Sequence, residues 1–485
     1  AYMNKKKSIK LNFVMNALLN MSSFIFPLIT FPYVSRILLP EGTGRVNFAT
    51  SFIAYFTMFA QLGIPTYGIR ACATVRDNKK ALSKTAHELL FINIVMSIIS
   101  YVFLFVALFT VPKLREDRFL YIIVSSTIFL SAIGMEWLYK ALEQYTYITI
   151  RSLIFKVIAL IGMFMLVKTK SDYVIYGGIT IFAASASNIC NFINAHKYIS
   201  FKFIGHYSIR PHLKAISIFF AMACATTIYT HLDTVMLKFM ATDIDVGYYG
   251  AATKIKTILV SVITSLGTVL LPRVSYYIKQ NMVDEFYRIT EKALNFVFIL
   301  AMPLSFYFMV FAKYGVLFLS GNEYEGAILP MQIIMPTLLL IGITNILGIQ
   351  ILVPLGKEKY VLYSEIAGAI VDIILNALLI PFMQASGAAI GTLIAETVVF
   401  IVQFIVLKGS ITTAFKKIKY WKIMLSILIG LLASLWCIYL NLGNFITLII
   451  SAFLFFLTYT VAMCIMKEKL VLEILSQILK KIHIL

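Results

Sequence analysis

The sequence predicts an all-α membrane protein that crosses the bilayer about fourteen times. Hydrophobic residues make up 60% of the 485 positions, and the mean hydropathy is +0.89. Only 13% of the residues are charged, whereas soluble domains contain about 25%. Apolar runs recur along the whole chain, and each is long enough for the roughly 20 residues with which an α-helix crosses the hydrocarbon.

Short polar connections separate these apolar runs, and none of them is long enough to fold as a separate domain. The predicted spans are 11–38, 45–68, 87–111, 119–140, 149–168, 174–196, 213–238, 247–272, 289–312, 326–353, 361–382, 388–408, 421–440 and 445–466. Spans 13 and 14 have almost nothing polar between Leu425 and Met463. We therefore interpret them as lipid-facing accessory helices.

Positive charge alternates along the connections. The basic connections are the N-terminal segment, 69–86, 197–214, 273–292, 408–422 and the segment after Met466. They fall on every second loop, so the positive-inside rule places both termini in the cytoplasm. The same rule accounts for the net charge of +20 and leaves no need for a nucleic-acid partner.

Polar residues lie along one face of several spans. In the eighth span they recur at helical spacing from Lys254 through Thr257 to Ser261. A lysine that faces only lipid is costly, so this face predicts a water-filled cavity; the alternative is close packing of helix against helix. Five such stripes together favour the cavity. The other members are Asn12, Asn16, Asn20 and Ser23 in span 1, Thr180, Ser187, Asn191 and Asn194 in span 6, Ser217, Cys224, Thr227, His231 and Thr234 in span 7, Thr264, Ser265 and Thr268 in span 8, and Glu365, Asp372 and Asn376 in span 11.

Cations within or at the edge of the spans are the candidate substrate contacts: Arg36, Arg45, Arg151, Lys156 and Lys254. Ionisable residues at membrane depth are functional candidates by default. A surplus of positive charge suits an anionic ligand, and a diphosphate matches arginine forks and lysine point charges. For Arg36 and Arg45 the alternative is snorkelling to lipid headgroups. For Lys156 and Lys254 it is a structural pair with Asp233 or an interhelical bond.

No catalytic or cofactor motif accompanies these residues. The sequence contains no GxxxxGKS phosphate loop, no HExxH and no GxSxG, and its five cysteines show no CxxC spacing. We therefore predict a transporter rather than an enzyme, without metal or cofactor, driven by Na⁺, H⁺, the membrane potential or the gradient of its ligand. The candidate ion-coupling residues are Asp233 and Asp372; the other acids at membrane depth are Glu136, Glu365 and Glu396.

The beginnings of spans 2 and 8 share the pattern G-x4-A-T, at residues 44–50 and 247–253. This self-similarity fits two six-helix halves of like orientation, related by an axis along the membrane normal. The predicted organisation is an N-terminal lobe at 8–196, a cytoplasmic linker at 197–212, a C-terminal lobe at 213–408, accessory spans at 409–466 and a cytoplasmic tail at 467–485.

Several segments carry a family resemblance. The first are FPLITFPYVSRILLPEGTGRVNFATSFIAYF at 26–56 and LGIPTYGIR at 62–70; the others are ALEQYTYITIRSLIFK at 141–156, LDTVML at 232–237, VGYYGAATKI at 246–255, VLLPR at 269–273, and DIILNALLIP with SGAAIGT within 372–392. On these segments the chain resembles the Wzx-type oligosaccharide flippases of the multidrug/oligosaccharidyl-lipid/polysaccharide (MOP) exporter superfamily. Leu39 is a departure, because the family commonly has glycine there.

The resemblance implies two six-helix lobes arranged as a V around a cationic cavity, with two further C-terminal helices. It implies that undecaprenyl-diphosphate-linked oligosaccharide is moved from the cytoplasmic to the outer leaflet of the bacterial cytoplasmic membrane, for capsule or O-antigen-like polysaccharide. The lipid tail would remain in the bilayer. A polysaccharide polymerase and glycosyltransferases are the implied protein partners.

Two other functions stay open at this point. One is a cation-coupled multidrug exporter of the same superfamily, although such exporters usually bind cationic compounds through buried acids, and the best-placed residues here are basic. The other is a membrane glycosyltransferase or polymerase, which needs larger external loops than this chain has.

Overall fold

The computed structural model describes residues 9–482, except for the side chains of residues 9, 10, 12, 13, 17, 24, 265–279 and 477–482. Within this part of the chain all regular structure is helical, which confirms the predicted all-α class. The stripe positions Asn12, Ser265 and Thr268 lie outside the described side chains.

Packing divides the chain into two compact units, Ala1–Gly247 and Tyr248–Leu485. The helices of the first unit are α1 (Ile9–Gln61), α2 (Ile64–Thr74), α3 (Lys79–Thr110), α4 (Arg118–Gly134), α5 (Glu136–Ala141), α6 (Tyr145–Leu166), α7 (Tyr173–Ile181), α8 (Asn188–Asn194) and α9 (Arg210–Met240), with 3₁₀ turns at Pro112–Leu114, Lys170–Asp172 and Ala195–Lys197 and a π-helical turn at Phe182–Ala186. The next helix, α10 (Asp243–Lys279), begins in the first unit and continues in the second.

The second unit continues with eight further α-helices in the described residues. They are α11 (Val283–Val310), α12 (Ala312–Ser320), α13 (Ile328–Ile334), α14 (Thr337–Thr344), α15 (Glu358–Lys417), α16 (Tyr420–Leu435), α17 (Asn444–Ile465) and α18 (Lys469–Ile482), with 3₁₀ segments at Asn322–Ala327 and Trp436–Leu440 and a π-helical segment at Asn345–Leu352.

The chain is a multi-pass membrane protein. Ten described helical segments are long and apolar enough to cross a membrane, or eleven if the bent pair Asn322–Ile334 and Thr337–Leu352 is one span. Two of them have 61 and 60 residues, about three times the length that one crossing needs. Each contains a residue with non-helical backbone, Leu39 in α1 and Gln384 in α15. These breaks lie in the predicted turns between spans 1 and 2 and between spans 11 and 12; the count of fourteen stays a prediction.

The backbone at Leu39 is of a kind that glycine adopts most easily. Leu39 has φ 61° and ψ 178°, a region that is almost restricted to glycine and costs other residues about 1–3 kcal/mol. Leu39 therefore has a strained backbone, at the position where the Wzx-type flippases that the chain resembles commonly have glycine.

The first unit ends later than the predicted linker at 197–212 because α9 packs on α1 and α2. His212 at the start of α9 contacts both α2 and α3. Its Nδ1 lies 2.7 Å from the Tyr67 hydroxyl, and its Nε2 lies 2.8 Å from Oε2 of the buried Glu88. The predicted seventh span thus packs with the first six, and the division into lobes, accessory spans and tail stays a prediction.

Two glycines allow α1 and the first turn of α10 to cross in close contact. A Cβ atom on Gly44 would lie 1.8 Å from the carbonyl oxygen of Asp243, and one on Gly247 would lie 2.0 Å from that of Pro40. The contact is reciprocal, because each glycine faces the carbonyl oxygen four residues before the other glycine. These are the glycines of the G-x4-A-T pattern, so this crossing gives the repeated glycine a physical reason.

Candidate functional site

Arg45 is surrounded by carboxylates. Its Nη2 lies 2.8 Å from Oε1 of Glu41, its Nη1 lies 3.0 Å from Oδ1 of Asp117, and its Nε lies 3.6 Å from Oδ2 of Asp243. The Tyr173 hydroxyl donates to the same Asp117 oxygen at 2.8 Å. Arg45 therefore ties together α1, α10 and the starts of α4 and α7. Its predicted substrate contact stays a prediction, since an anion would have to compete with these carboxylates.

Arg36 lies on the same helix before the break and is exposed. Its Nη1 donates to the carbonyl oxygen of Pro32, one turn earlier in α1. The predicted substrate contact at Arg36 is sterically accessible in this arrangement.

Arg151 on α6 is bonded mainly to neutral oxygens. Its side chain is 8% exposed, and its Nη1 donates to the Ser187 hydroxyl at 2.8 Å and to Oδ1 of Asn188 at 3.2 Å. The π-helical turn at Phe182–Ala186 directly precedes these two residues. Close packing fixes Asn188, because a Cβ atom on Gly134 would lie 2.4 Å from its Cγ.

Lys156, one and a half turns further along α6, also has neutral partners. Its Nζ donates to the hydroxyls of Ser22 at 2.7 Å and Ser23 at 3.1 Å on α1. Hydroxyls stabilise an ammonium group without neutralising it. The positive charges of Lys156 and Arg151 are thus less fully compensated by carboxylates than that of Arg45.

The predicted cavity-lining residues of the first unit differ in exposure. Asn16 is partly exposed and Asn20 is exposed. His231 is half-buried, with Nδ1 3.1 Å from the Ser51 hydroxyl. Asn191 is fully buried and donates through Nδ2 to the carbonyl oxygen of Gly134 at 2.8 Å. That Asn191 lines a cavity therefore stays a prediction, and in this structure its side chain is packed against α4.

The predicted site residues of the second unit share one face of α10. Lys254 is half-buried, Thr257 is exposed and Ser261 is half-buried. The hydroxyls of Thr257 and Ser261 donate to carbonyl oxygens of their own helix, at 2.8 Å and 2.6 Å. Their oxygens can still accept hydrogen bonds from a ligand or from water.

The candidate ion-coupling residues are both buried. Asp233 on α9 is 5% exposed, and Asp372 on α15 is 2% exposed. Asp372 and Asn376 lie against the other half of the broken helix, since a Cβ atom on Gly391 would lie 2.9 Å and 2.5 Å from their Oδ1 atoms. The next residue, Thr392, has its hydroxyl 2.8 Å from that of Tyr249.

Sequence reasoning missed several of these partners. Ser22 lies one residue away from the predicted stripe, and Asn188 directly follows the stripe residue Ser187. Thr392 lies within SGAAIGT, which carries part of the family resemblance. The sequence indicates an acid at membrane depth at Glu136 but no role for it, because residue spacing does not predict that its carboxylate lies 3.8 Å from Arg151.

Comparison with known proteins gives a family for the chain. A family model described as "Polysaccharide biosynthesis protein" matches residues 9–278, and one described as "MatE" matches residues 218–378. The protein named "Putative O-antigen transporter" of Escherichia coli (strain K12) is 25% identical over 81% of this chain and 95% of its own length. The protein of the same name from Shigella dysenteriae is 27% identical over 81% of this chain and 98% of its own length.

A solved structure shares the fold. It is "Lipid II flippase MurJ, inward closed conformation", with a TM-score of 0.71 and 18% identity, and the match covers 94% of this chain and 98% of that chain.

Proposed function

This chain belongs to the polysaccharide biosynthesis protein family, and we propose that it is a flippase for undecaprenyl-diphosphate-linked oligosaccharide. It moves the repeat unit from the cytoplasmic to the outer leaflet of the bacterial cytoplasmic membrane by alternating access, for O-antigen-like or capsular polysaccharide. The names of two relatives support this proposal, because each is named "Putative O-antigen transporter".

One structural observation carries the proposal. Arg151 and Lys156 lie within a membrane-spanning helix and are bonded mainly to hydroxyl and amide oxygens. Cations at membrane depth are costly and mark ligand pathways when charged groups do not fully pair them. A diphosphate bears charge that such residues neutralise with charge-assisted hydrogen bonds. The prenyl tail needs no pathway, since each CH₂ gains about 0.8 kcal/mol from staying in the apolar phase.

Transport needs an energy source, and we propose that a cation or the membrane potential supplies it. The residues that would serve a Na⁺ or H⁺ are the buried Asp372 and, on α9, Asp233. Asp372 lies beside the Asn376 amide, and Thr392 follows Gly391 in the same helix. Acidic residues within membrane spans mark ion pathways and proton relays, and interrupted helices are where transporters coordinate coupling ions.

The proposed orientation places both termini in the cytoplasm. Glycosyltransferases that complete the lipid-linked unit would then act before this protein, and a polymerase that consumes it would act after. The chain itself would form and break no covalent bond.

A liposome assay tests the proposed function. Purified protein is reconstituted with an undecaprenyl-diphosphate glycan that has a fluorescent sugar, and a membrane-impermeant quencher reports the sugar's leaflet. We expect wild-type protein to equilibrate the sugar between leaflets and Arg151→Gln to slow this by about tenfold or more. The matched control is Arg76→Gln, because Arg76 lies outside the spans and pairs with Glu143 at 2.9 Å.

Three outcomes would contradict the proposal. Headgroup movement no faster than in protein-free liposomes would exclude a flippase for this lipid. Extrusion of an organic cation, unaffected by Arg151→Gln, would favour a drug exporter. Formation of a glycosidic bond by the purified protein would favour an enzyme.

A further inference from the structure

Glu136 lies at a sharp break in the first unit. Helix α4 ends before Met135, which has a left-handed backbone with φ 43° and ψ 37°, and Glu136 is the first residue of α5. Its side chain is 39% exposed, although it lies within Arg118–Ala141, a segment long and apolar enough to cross a membrane. A carboxylate at this depth is stable when it faces water or is paired, and Glu136 has two cations within 4 Å.

The two cations hold Glu136 unequally. Oε1 lies 2.8 Å from Nζ of Lys140, one turn later in the same helix, whereas Oε2 lies 3.8 Å from Nη2 of Arg151. The first distance is that of a charge-assisted hydrogen bond and the second is too long for one. Glu136 therefore offsets the charge of Arg151 only in part, without a hydrogen bond, while Lys140 holds its carboxylate in place.

One edge of the Arg151 guanidinium lacks close hydrogen-bond partners. Nη1 is bonded to Ser187 and Asn188, but Nε is buried and has no hydrogen-bond partner among the described residues. Nε and Nη2 together form the planar fork that carboxylates and phosphates bind with two parallel hydrogen bonds. The carboxylate that the described residues place beside this fork is that of Glu136, and its 3.8 Å distance from Nη2 is longer than a hydrogen bond. The side chain is more than nine-tenths buried, so leaving the fork without a close acceptor is unfavourable.

We propose that Glu136 is the resident counter-ion of Arg151, and that the substrate's diphosphate displaces it to bind the Nε–Nη2 fork while Lys140 retains the displaced carboxylate. This exchange rests on the proposed function for the identity of the anion. It keeps each charge paired at every stage, because Glu136 keeps Lys140 when it leaves Arg151 and returns to Arg151 when the diphosphate departs. Glu136 is thus a positioning residue that sets how tightly the anion binds and how readily it leaves.

The exchange predicts opposite effects on binding and on turnover. With Glu136→Gln the fork loses its competing carboxylate, so the diphosphate binds about fivefold more tightly. Release then becomes slower, because no carboxylate replaces the departing anion. A purely structural Glu136 would lower the stability of the variant and leave its affinity for a diphosphate unchanged.

Binding of inorganic pyrophosphate and of farnesyl diphosphate to the purified full chain, measured by calorimetry in detergent, tests the exchange. The variants are Glu136→Gln, Arg151→Lys and the double variant. The matched control is Glu143→Gln, which makes the same change at the turn between α5 and α6, where Glu143 pairs with Arg76. We expect tighter binding in Glu136→Gln, wild-type binding in Glu143→Gln, and a smaller gain from Glu136→Gln when Arg151 is lysine. If Glu136→Gln binds only farnesyl diphosphate more tightly, the site recognises prenyl diphosphates. If it binds both farnesyl diphosphate and pyrophosphate more tightly, the site recognises the diphosphate group itself.

Unchanged or weaker binding in a folded Glu136→Gln would overturn the proposal. So would an equal gain in the Arg151→Lys background, because the effect would then not pass through the guanidinium fork. Binding in detergent does not depend on translocation, so this experiment can fail while the liposome assay succeeds, and the reverse also holds.

Discussion

Two arginines of the first unit have the same charge and opposite surroundings. Arg45 lies within 4 Å of three carboxylates, and one of these, Asp117, has a side chain that is only 1% exposed. Arg151 is bonded to a hydroxyl and an amide, and its nearest carboxylate is 3.8 Å away. From this comparison we infer that a cation's partners, more than its depth, separate residues that hold the fold from residues that are available to a ligand.

The largest expected effect is that of Arg45→Gln on stability. This change leaves Asp117 buried without its cation, and breaking a buried ion pair from one side costs about 3–5 kcal/mol. Thermal unfolding in detergent should therefore show a marked loss of stability. Asp117→Asn in the same background should restore part of it, because the orphaned charge is removed. A variant as stable as the wild type would end the distinction between the two arginines.

Gly44→Ala tests whether the close crossing of α1 and α10 positions the ion pairs of Arg45. The new Cβ atom would meet the carbonyl oxygen of Asp243, so α1 and α10 must move apart and weaken the contact of Arg45 with Asp243. Overpacking of this kind costs about 1–3 kcal/mol. Thermal unfolding reports the loss, and Gly162→Ala is the matched control because nothing lies within 4 Å of a Cβ atom there. Equal stability of both variants would contradict the close crossing.

Lys156→Met tests the second cation with neutral partners. Methionine keeps most of the apolar stem of the half-buried Lys156, and the hydroxyls of Ser22 and Ser23 still donate to the carbonyl oxygen of Leu19. We therefore expect little loss of stability. The initial rate of headgroup translocation should fall by about tenfold, because one charge-assisted contact with the diphosphate is lost. A wild-type rate with an intact fold would remove Lys156 from the substrate contacts.

The smallest expected effect is a gain of stability in Leu39→Gly. Glycine adopts the backbone of Leu39 without steric cost, so relief of strain should exceed the loss of the leucine's contacts by about 1 kcal/mol. The matched control is the neighbouring Leu38→Gly, in which a buried helical leucine is lost and stability should fall. If both variants are destabilised to the same degree, Leu39 is not strained.

The fold class and both helix breaks could be predicted because they depend on local signals. Composition and the length of apolar runs predict membrane helices, and the turns at Leu39 and Gln384 lie where hydropathy falls between adjacent spans. The partners of Arg45 could not be predicted, since Asp117 and Asp243 are brought to it only by tertiary packing. The sequence alone therefore does not distinguish an arginine that is paired with carboxylates, such as Arg45, from one that is bonded to neutral groups, such as Arg151.

The polar stripe of span 6 is interrupted by a local feature of the backbone. The predicted stripe of span 6 assumes a regular helical period from Thr180 to Asn194, but a π-helical turn at Phe182–Ala186 interrupts it. Such a turn inserts an extra residue and rotates the following segment relative to the preceding one. Thr180, which precedes the turn, therefore no longer shares one helix face with Ser187, Asn191 and Asn194, which follow it.

The most direct test of this account measures headgroup translocation per folded molecule for Arg45→Gln and Arg151→Gln under identical reconstitution. We predict that Arg151→Gln loses about tenfold or more of the initial rate, whereas the folded fraction of Arg45→Gln translocates at nearly the wild-type rate. Equal losses in the two variants, or a larger loss in folded Arg45→Gln, would contradict the assignment of Arg45 to the fold and Arg151 to the substrate.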